Sequence, residues 1–196
     1  MKFIKYISLI FIAGGVLFVS FGVWGLIDTN KQTAHSLEQA KRAISNPVKA
    51  DELRKEEGKR FEPPFGDAVG ILELSTLSAE LPIVEGTDPD DLKKGVGHYK
   101  GSYYPNENGQ IVLSGHRDTV FRRTNELKIG DSIKIKLPYG QFEYEITNTK
   151  IVDRLDTSII TLQHEKEELI LTTCYPFNYV GNAPKRYIIY AEKMNK

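Results

Sequence analysis

Residues 131–147 read DSIKIKLPYGQFEYEIT. Apolar and polar side chains alternate along Ile133-Lys134-Ile135-Lys136-Leu137 and again along Phe142-Glu143-Tyr144-Glu145-Ile146. Successive side chains of a strand point to opposite faces, so this period of two gives each run one face for a core and one for water. Between the runs, Pro138-Tyr139-Gly140 supplies a hairpin turn. Working outward, further strand-like runs come at short intervals: AVGILEL (68–74), QIVLSG (110–115), KIVDRL (150–155), EELILTT (167–173) and RYIIYAE (186–192). Helical pattern is scarce there, with one turn offered by Pro89–Lys94. Residues 63–196 are therefore expected to form one small, mostly antiparallel β-barrel.

A chain of 196 residues leaves room beside such a domain for an appendage only. Its 26 basic and 26 acidic side chains cancel, which argues against a nucleic-acid partner. A single Cys excludes an intramolecular disulfide framework and any Cys-rich zinc site. From Tyr6 to Ile27 there is no charge at all, YISLIFIAGGVLFVSFGVWGLI. As a helix this run spans about 33 Å, enough to cross a hydrocarbon core of ~30 Å. Lys2 and Lys5 on the short flank favour a cytoplasmic N-terminus and an exported remainder. The competing reading is a cleaved signal peptide, but Ser20-Phe21-Gly22 lies inside the apolar run, so residues 1–27 are read as an uncleaved anchor. Residues 28–62 are densely charged and are expected to be a partly helical tether. Leu37, Ala40 and Ile44 recur at helical spacing before Pro47, and DELRKEEGKR (51–60) reads as a polar helix or stalk. The simple reading is a spacer; the sharper one is a helix docked on the domain or on a partner. Glu62-Pro63-Pro64 marks the boundary.

Chemistry is expected to centre on Cys174. It ends the run Leu169-Ile170-Leu171-Thr172-Thr173, and a loop leads from it to the strand that begins at Arg186. If those two strands pair as a hairpin, Cys174 and Arg186 are neighbours. A guanidinium beside a thiol favours thiolate, or the oxyanion formed when thiolate attacks a carbonyl. A cysteine nucleophile also needs a partner that handles protons, most often His. His35 in the tether and His164 in a charged turn are expected in solvent. His98 and His116 are both well placed, and composition does not choose between them. Asp118, two residues past His116, is a further group able to orient an imidazole. The bland readings of Cys174 are a small buried hydrophobe and an intermolecular disulfide. Metal-ligand spacing, a calcium loop and a phosphate-cradling glycine loop are all missing from the sequence, so no cofactor is indicated.

Three separated segments resemble the sortases, membrane-anchored cysteine transpeptidases of Gram-positive bacteria. LPIVEG (81–86) with LKKGVGHY (92–99) resembles the segment preceding the family's catalytic His; Gly115-His116-Arg117 resembles the segment that carries it; Leu171-Thr172-Thr173-Cys174 resembles most of the Thr-Leu-x-Thr-Cys signature. Ile170 stands where that signature begins with Thr. Arg186 falls at the family's Arg on the next strand, and the LTTCYPF…APKRY arrangement is most similar to class D. The resemblance implies an eight-stranded β-barrel. It implies Cys174 as nucleophile, His116 as general acid and base, and Arg186 as stabiliser of the oxyanion, with Thr173 and Arg186 as positions that hold the substrate. The substrate it implies is an exported protein bearing a C-terminal Leu-Pro-x-Thr-Gly or Leu-Pro-x-Thr-Ala signal, cut after Thr. The acceptor it implies is an amine of a lipid-linked peptidoglycan precursor, and the place is the outer face of the cell membrane. Two rival readings are a tethered cysteine hydrolase of wall peptides and a non-catalytic β binding module.

Overall fold

The computed structural model describes residues 2–45 and 60–194. Eight strands close into one barrel in the order β1-β2-β3-β4-β7-β8-β6-β5. They are β1 (Ala68–Leu74), β2 (Ala79–Glu85), β3 (Val96–His98), β4 (Gln110–Ser114), β5 (Ser132–Leu137), β6 (Gly140–Asp153), β7 (Glu168–Tyr175) and β8 (Lys185–Lys193). Helix α1 (Lys2–Ile44) precedes them and the short α2 (Pro89–Lys94) links β2 to β3. Pairing is antiparallel except for β2 with β3 and β4 with β7. The quoted hairpin is present as read, with Leu137 opposite Gly140 and a two-residue turn between them.

The inward face of the barrel carries Leu72, Leu74, Ile83, Val96, Ile111, Leu113, Ile133, Ile135, Tyr144, Ile146, Leu169, Leu171 and Ile189 in one packed cluster. A second, smaller cluster lies on the outer face of four neighbouring strands. Val112, Ile170, Ile188 and Val152 meet there beneath Ile159 from the β6–β7 connection. This explains Ile170, fully buried where the signature begins with Thr.

Two expectations about strands need amending. The runs 141–147 and 150–155 belong to one strand of 14 residues, β6. Its register against β8 shifts between Ile146 and Asn148. A bulge adds one residue and so inverts which parity faces inward. Tyr144 and Ile146 point into the barrel, whereas Val152 joins the outer cluster. The alternation breaks in the sequence at that point although the strand does not. Strands β2 and β3 fall outside the strand runs read from periodicity: β2 contains Pro82, and β3 has only three residues.

Helix α1 does not end where its apolar half ends. From Leu9 onward it contains a stretch long and apolar enough to cross a membrane, with mean hydropathy 2.3. It then continues without a break to Ile44. Its second half packs on β1, β2 and α2, so among the described residues this part of the tether is a docked helix and not a free spacer. Ser36 and Ala40 are buried in that contact, Thr33 Oγ1 donates to the Lys93 carbonyl at 3.2 Å, and Lys41 pairs with Glu80 at 3.4 Å. Small side chains on the docking face let the helix approach the sheet closely. The polar run expected at 51–60 lies, but for Arg60, outside the described residues.

Candidate active site

Register places the site. In the β7–β8 pair Cys174 lies opposite Arg186. In the parallel β4–β7 pair Ser114 lies opposite Thr172, and Gly115 N donates to the Thr172 carbonyl at 3.1 Å. Carried two residues further, that register brings His116 alongside Cys174. Three consecutive strands of the barrel thus end together, with the cysteine on the middle one.

Parity then fixes which way these residues face. Leu169 and Leu171 point into the barrel and Ile170 points out, so Thr173 is inward and Cys174 outward. Along β8, Ile189 is inward and Ile188 outward, which puts Arg186 on the outer face as well. Along β4, Ile111 and Leu113 are inward and Val112 is outward, and His116 follows two residues past the end of that strand. The outer cluster around Ile170 therefore lies on the same face as Cys174 and Arg186. His116, Cys174 and Arg186 are each half-buried, accessible to a substrate yet partly shielded from water.

The inward residues secure this geometry. Thr173 is buried, and its Oγ1 donates to the Gly115 carbonyl at 2.6 Å, a direct bolt between the end of β7 and the residue before His116. The Thr173 hydroxyl is thus engaged by backbone at the barrel end. Gly115 is confined from the same side: a Cβ there would come within 2.6 Å of the buried Phe121 ring. The backbone must pass close to that ring to present His116.

The other strand-end groups are tied to backbone. Arg186 Nη1 donates to the carbonyls of Ala183 at 3.3 Å and Lys185 at 3.0 Å, at the base of the β7–β8 loop. Arg117 Nη2 donates to the carbonyls of Tyr179 and Gly181, further out on that loop. Asp118 is exposed, and its carbonyl accepts from Arg122.

The structure also separates the two histidines that composition left equivalent. His98 lies on β3, 1% exposed, with Nδ1 2.7 Å from Glu85 Oε2 and Nε2 2.9 Å from Ser102 Oγ. Its ring stacks on Tyr104 with centroids 3.9 Å apart. Tyr104 donates to the same carboxylate oxygen at 2.5 Å; burial first, and the Glu85 charge second, push its hydroxyl far above the usual tyrosine range, so it stays a donor. A cleft of about 380 Å³ opens beside this cluster, lined in part by Arg60, Phe61, Phe65 and Lys100. Its walls include none of His116, Cys174 or Arg186. His98 is a satisfied core histidine. His164 is exposed, and His35 is exposed on α1.

Sequence reasoning missed two residues that shape the site. Gln110, 1% exposed at the start of β4, accepts through Oε1 from the N–H groups of Thr161 and Leu162 and donates through Nε2 to the Ile159 carbonyl. It pins the β6–β7 connection over the outer cluster. Arg117 is the second. A lone Gln among apolar residues is the only signal for the first, and the second stands in the Gly115-His116-Arg117 segment, which by itself gives it no partner on the loop.

Comparison with known proteins agrees with this architecture. The sortase domain model matches residues 72–194. Sortase D of Bacillus subtilis (strain 168) is 62% identical over 195 residues, 97% of this chain and 98% of that protein. Among solved structures, the catalytic domain of B. anthracis SrtD is 37% identical with a TM-score of 0.58, over 71% of this chain and 96% of that one. A Clostridium perfringens Sortase D5 transpeptidase superposes with a TM-score of 0.72 over 84% of this chain and 99% of that one; at 24% identity it speaks for the fold alone.

Proposed function

The chain belongs to the sortase family, and from that membership we propose that it cleaves a C-terminal Leu-Pro-x-Thr-Gly or Leu-Pro-x-Thr-Ala signal after Thr and joins the exported protein to an amine of a peptidoglycan precursor. The observation that carries the reading is Cys174 opposite Arg186 at the ends of β7 and β8, with the residue before His116 bonded to both Thr172 and Thr173.

Cys174 thiolate attacks the Thr carbonyl carbon of the signal. The carbonyl π electrons move to oxygen, and Arg186 is the cation beside that position. One nitrogen of its guanidinium is engaged with the loop carbonyls, and the planar fork leaves other N–H groups for the oxyanion. Collapse of the adduct breaks the Thr C–N bond; His116 gives its proton to the leaving nitrogen, and the C-terminal fragment departs. The thioester remains on Cys174, so one difficult amide exchange becomes two easier steps. An incoming amine then loses a proton to His116, attacks the thioester and expels Cys174 thiolate. Thr173 serves this chemistry indirectly by bolting β7 to Gly115.

The anchor supports a location at the outer face of the cell membrane, where effective concentration favours a reaction between two membrane-borne partners. The test is product analysis with a signal peptide, with and without an added amine. Diversion of the Thr product from acid to amide is expected. Acid alone at every amine concentration would leave a hydrolase.

A further inference from the structure

Loop 176–184 joins the strand of Cys174 to the strand of Arg186, and it is bonded to Arg117, the neighbour of His116. Its base is fastened: Ala183 is buried, Arg154 N donates to the Pro184 carbonyl, and Arg186 holds the Ala183 carbonyl. Phe177 packs edge-on against Tyr175 and Tyr187, which still belong to β7 and β8. The tip is different. Val180 is 96% exposed, and Tyr179 N makes only a local turn bond to the Pro176 carbonyl. Among the described residues, the hydrogen bonds from another element to the tip come from one side chain. That side chain is Arg117, the residue after His116.

Arg117 grips the tip three ways. Nη2 donates to the Tyr179 carbonyl at 2.6 Å and to the Gly181 carbonyl at 2.9 Å, and the guanidinium carbon sits 5.8 Å from the centre of the Tyr179 ring. Gly181 has φ +95°, a left-handed conformation that turns its carbonyl into this arrangement at no steric cost. No carboxylate among the described residues pairs with Arg117, so its charge is held by backbone carbonyls alone. Nη1 is buried with no protein partner, so the guanidinium has no second acceptor to fall back on. Both carbonyls are served by one nitrogen, Nη2, with the Tyr179 ring beside the guanidinium.

We propose that Arg117 is a positioning residue for the reaction: it latches the tip of loop 176–184 to the turn that carries His116, and so sets one wall of the cleft over Cys174 before a sorting signal arrives. This rests on the assignment of His116 and Cys174 given above. A wall formed in advance lowers the ordering cost of binding, so its loss falls on the binding of the signal and not on the bond-making step.

The full-length chain in detergent, as wild type, Arg117→Met and Arg117→Lys, tests this with two independent readings. The first is the rate of chymotryptic cleavage within loop 176–184, which needs no substrate. The second is kcat and KM for a Leu-Pro-x-Thr-Gly peptide with an amine acceptor. For Arg117→Met, loop cleavage should rise about tenfold and KM about tenfold, with kcat within about twofold. Arg117→Lys should recover part of both effects, and it carries the test if the Met variant does not fold. Unchanged cleavage and KM would overturn the latch. A fall in kcat with unchanged KM would also overturn it, by showing that Arg117 acts through His116 on the chemistry. If the wild type turns over no signal peptide, the functional reading fails, while the cleavage rates still decide whether Arg117 holds the loop.

Discussion

At the scale of single residues, the candidate catalytic groups have distinct tasks that substitution can separate. Cys174→Ala removes the nucleophile, and turnover should fall to background in an assay of signal-peptide cleavage. Arg186→Lys keeps the charge but loses the planar fork; kcat/KM should drop by about a hundredfold, far more than the formal conservation of charge suggests. Thr173→Val removes the bond to the Gly115 carbonyl and leaves that buried acceptor short of a donor. It should cost about 1–2 kcal/mol of stability by denaturant unfolding and several-fold in kcat/KM, while leaving Cys174 open to alkylation. These residues were not equally legible beforehand. Cys174 and Arg186 could be brought together because a hairpin aligns the end of one strand with the start of the next. His116 and His98 could not be told apart from spacing, because the difference lies in partners from elsewhere in the chain. Glu85 and Ser102 saturate one ring, whereas His116 follows a strand whose parallel neighbour carries the cysteine. The inward role of Thr173 follows only once the parity of β7 is known.

At the scale of elements, helix α1 and strand β6 show what periodicity reads and where it stops. Leu37, Ala40 and Ile44 announce a helix, yet the docking contact is made largely by small residues, Ser36 and Ala40, which carry little hydrophobic signal. Their contribution is closeness of approach. Ala40→Asp should therefore place an unpaired charge in a closed contact and lower stability by about 3 kcal/mol, read as a Tm lower by about 6–12 °C. Lys41→Ala, one residue along, removes only the partly exposed pair with Glu80 and should change stability by less than about 1 kcal/mol. Equal effects at the two positions would contradict the docked arrangement. Strand β6 makes the complementary point. Its bulge between Ile146 and Asn148 lets one strand serve the barrel interior with its first half and the outer cluster with Val152 in its second. A period-two pattern cannot pass through that inversion, so the sequence reads as two strands.

At the scale of the whole molecule, the barrel separates a sealed interior from a working surface. The interior cluster, with the buried Glu85–His98–Tyr104 group, keeps the strands in register; the outer cluster, Ile170, Val112, Ile188 and Val152, lies beneath the strand ends that carry the candidate catalytic groups. A single continuous helix, docked on β1, β2 and α2, links the barrel to an apolar span. The β-barrel, the apolar span and the family were legible from alternation, charge-free length and three separated motifs. The closure of the barrel through β2 and β3 was not, because short and proline-interrupted strands carry no period of their own. The measurement that bears most directly on the account is peptide mapping by mass spectrometry of the full-length protein, quenched in acid during turnover of Leu-Pro-x-Thr-Gly and Leu-Pro-x-Thr-Ala peptides. The account predicts a thioester adduct, ending at the Thr of the signal, on Cys174 and nowhere else, discharged when an amine is added. Cleavage after Thr with no adduct on Cys174, or an adduct that an amine does not discharge, would contradict it.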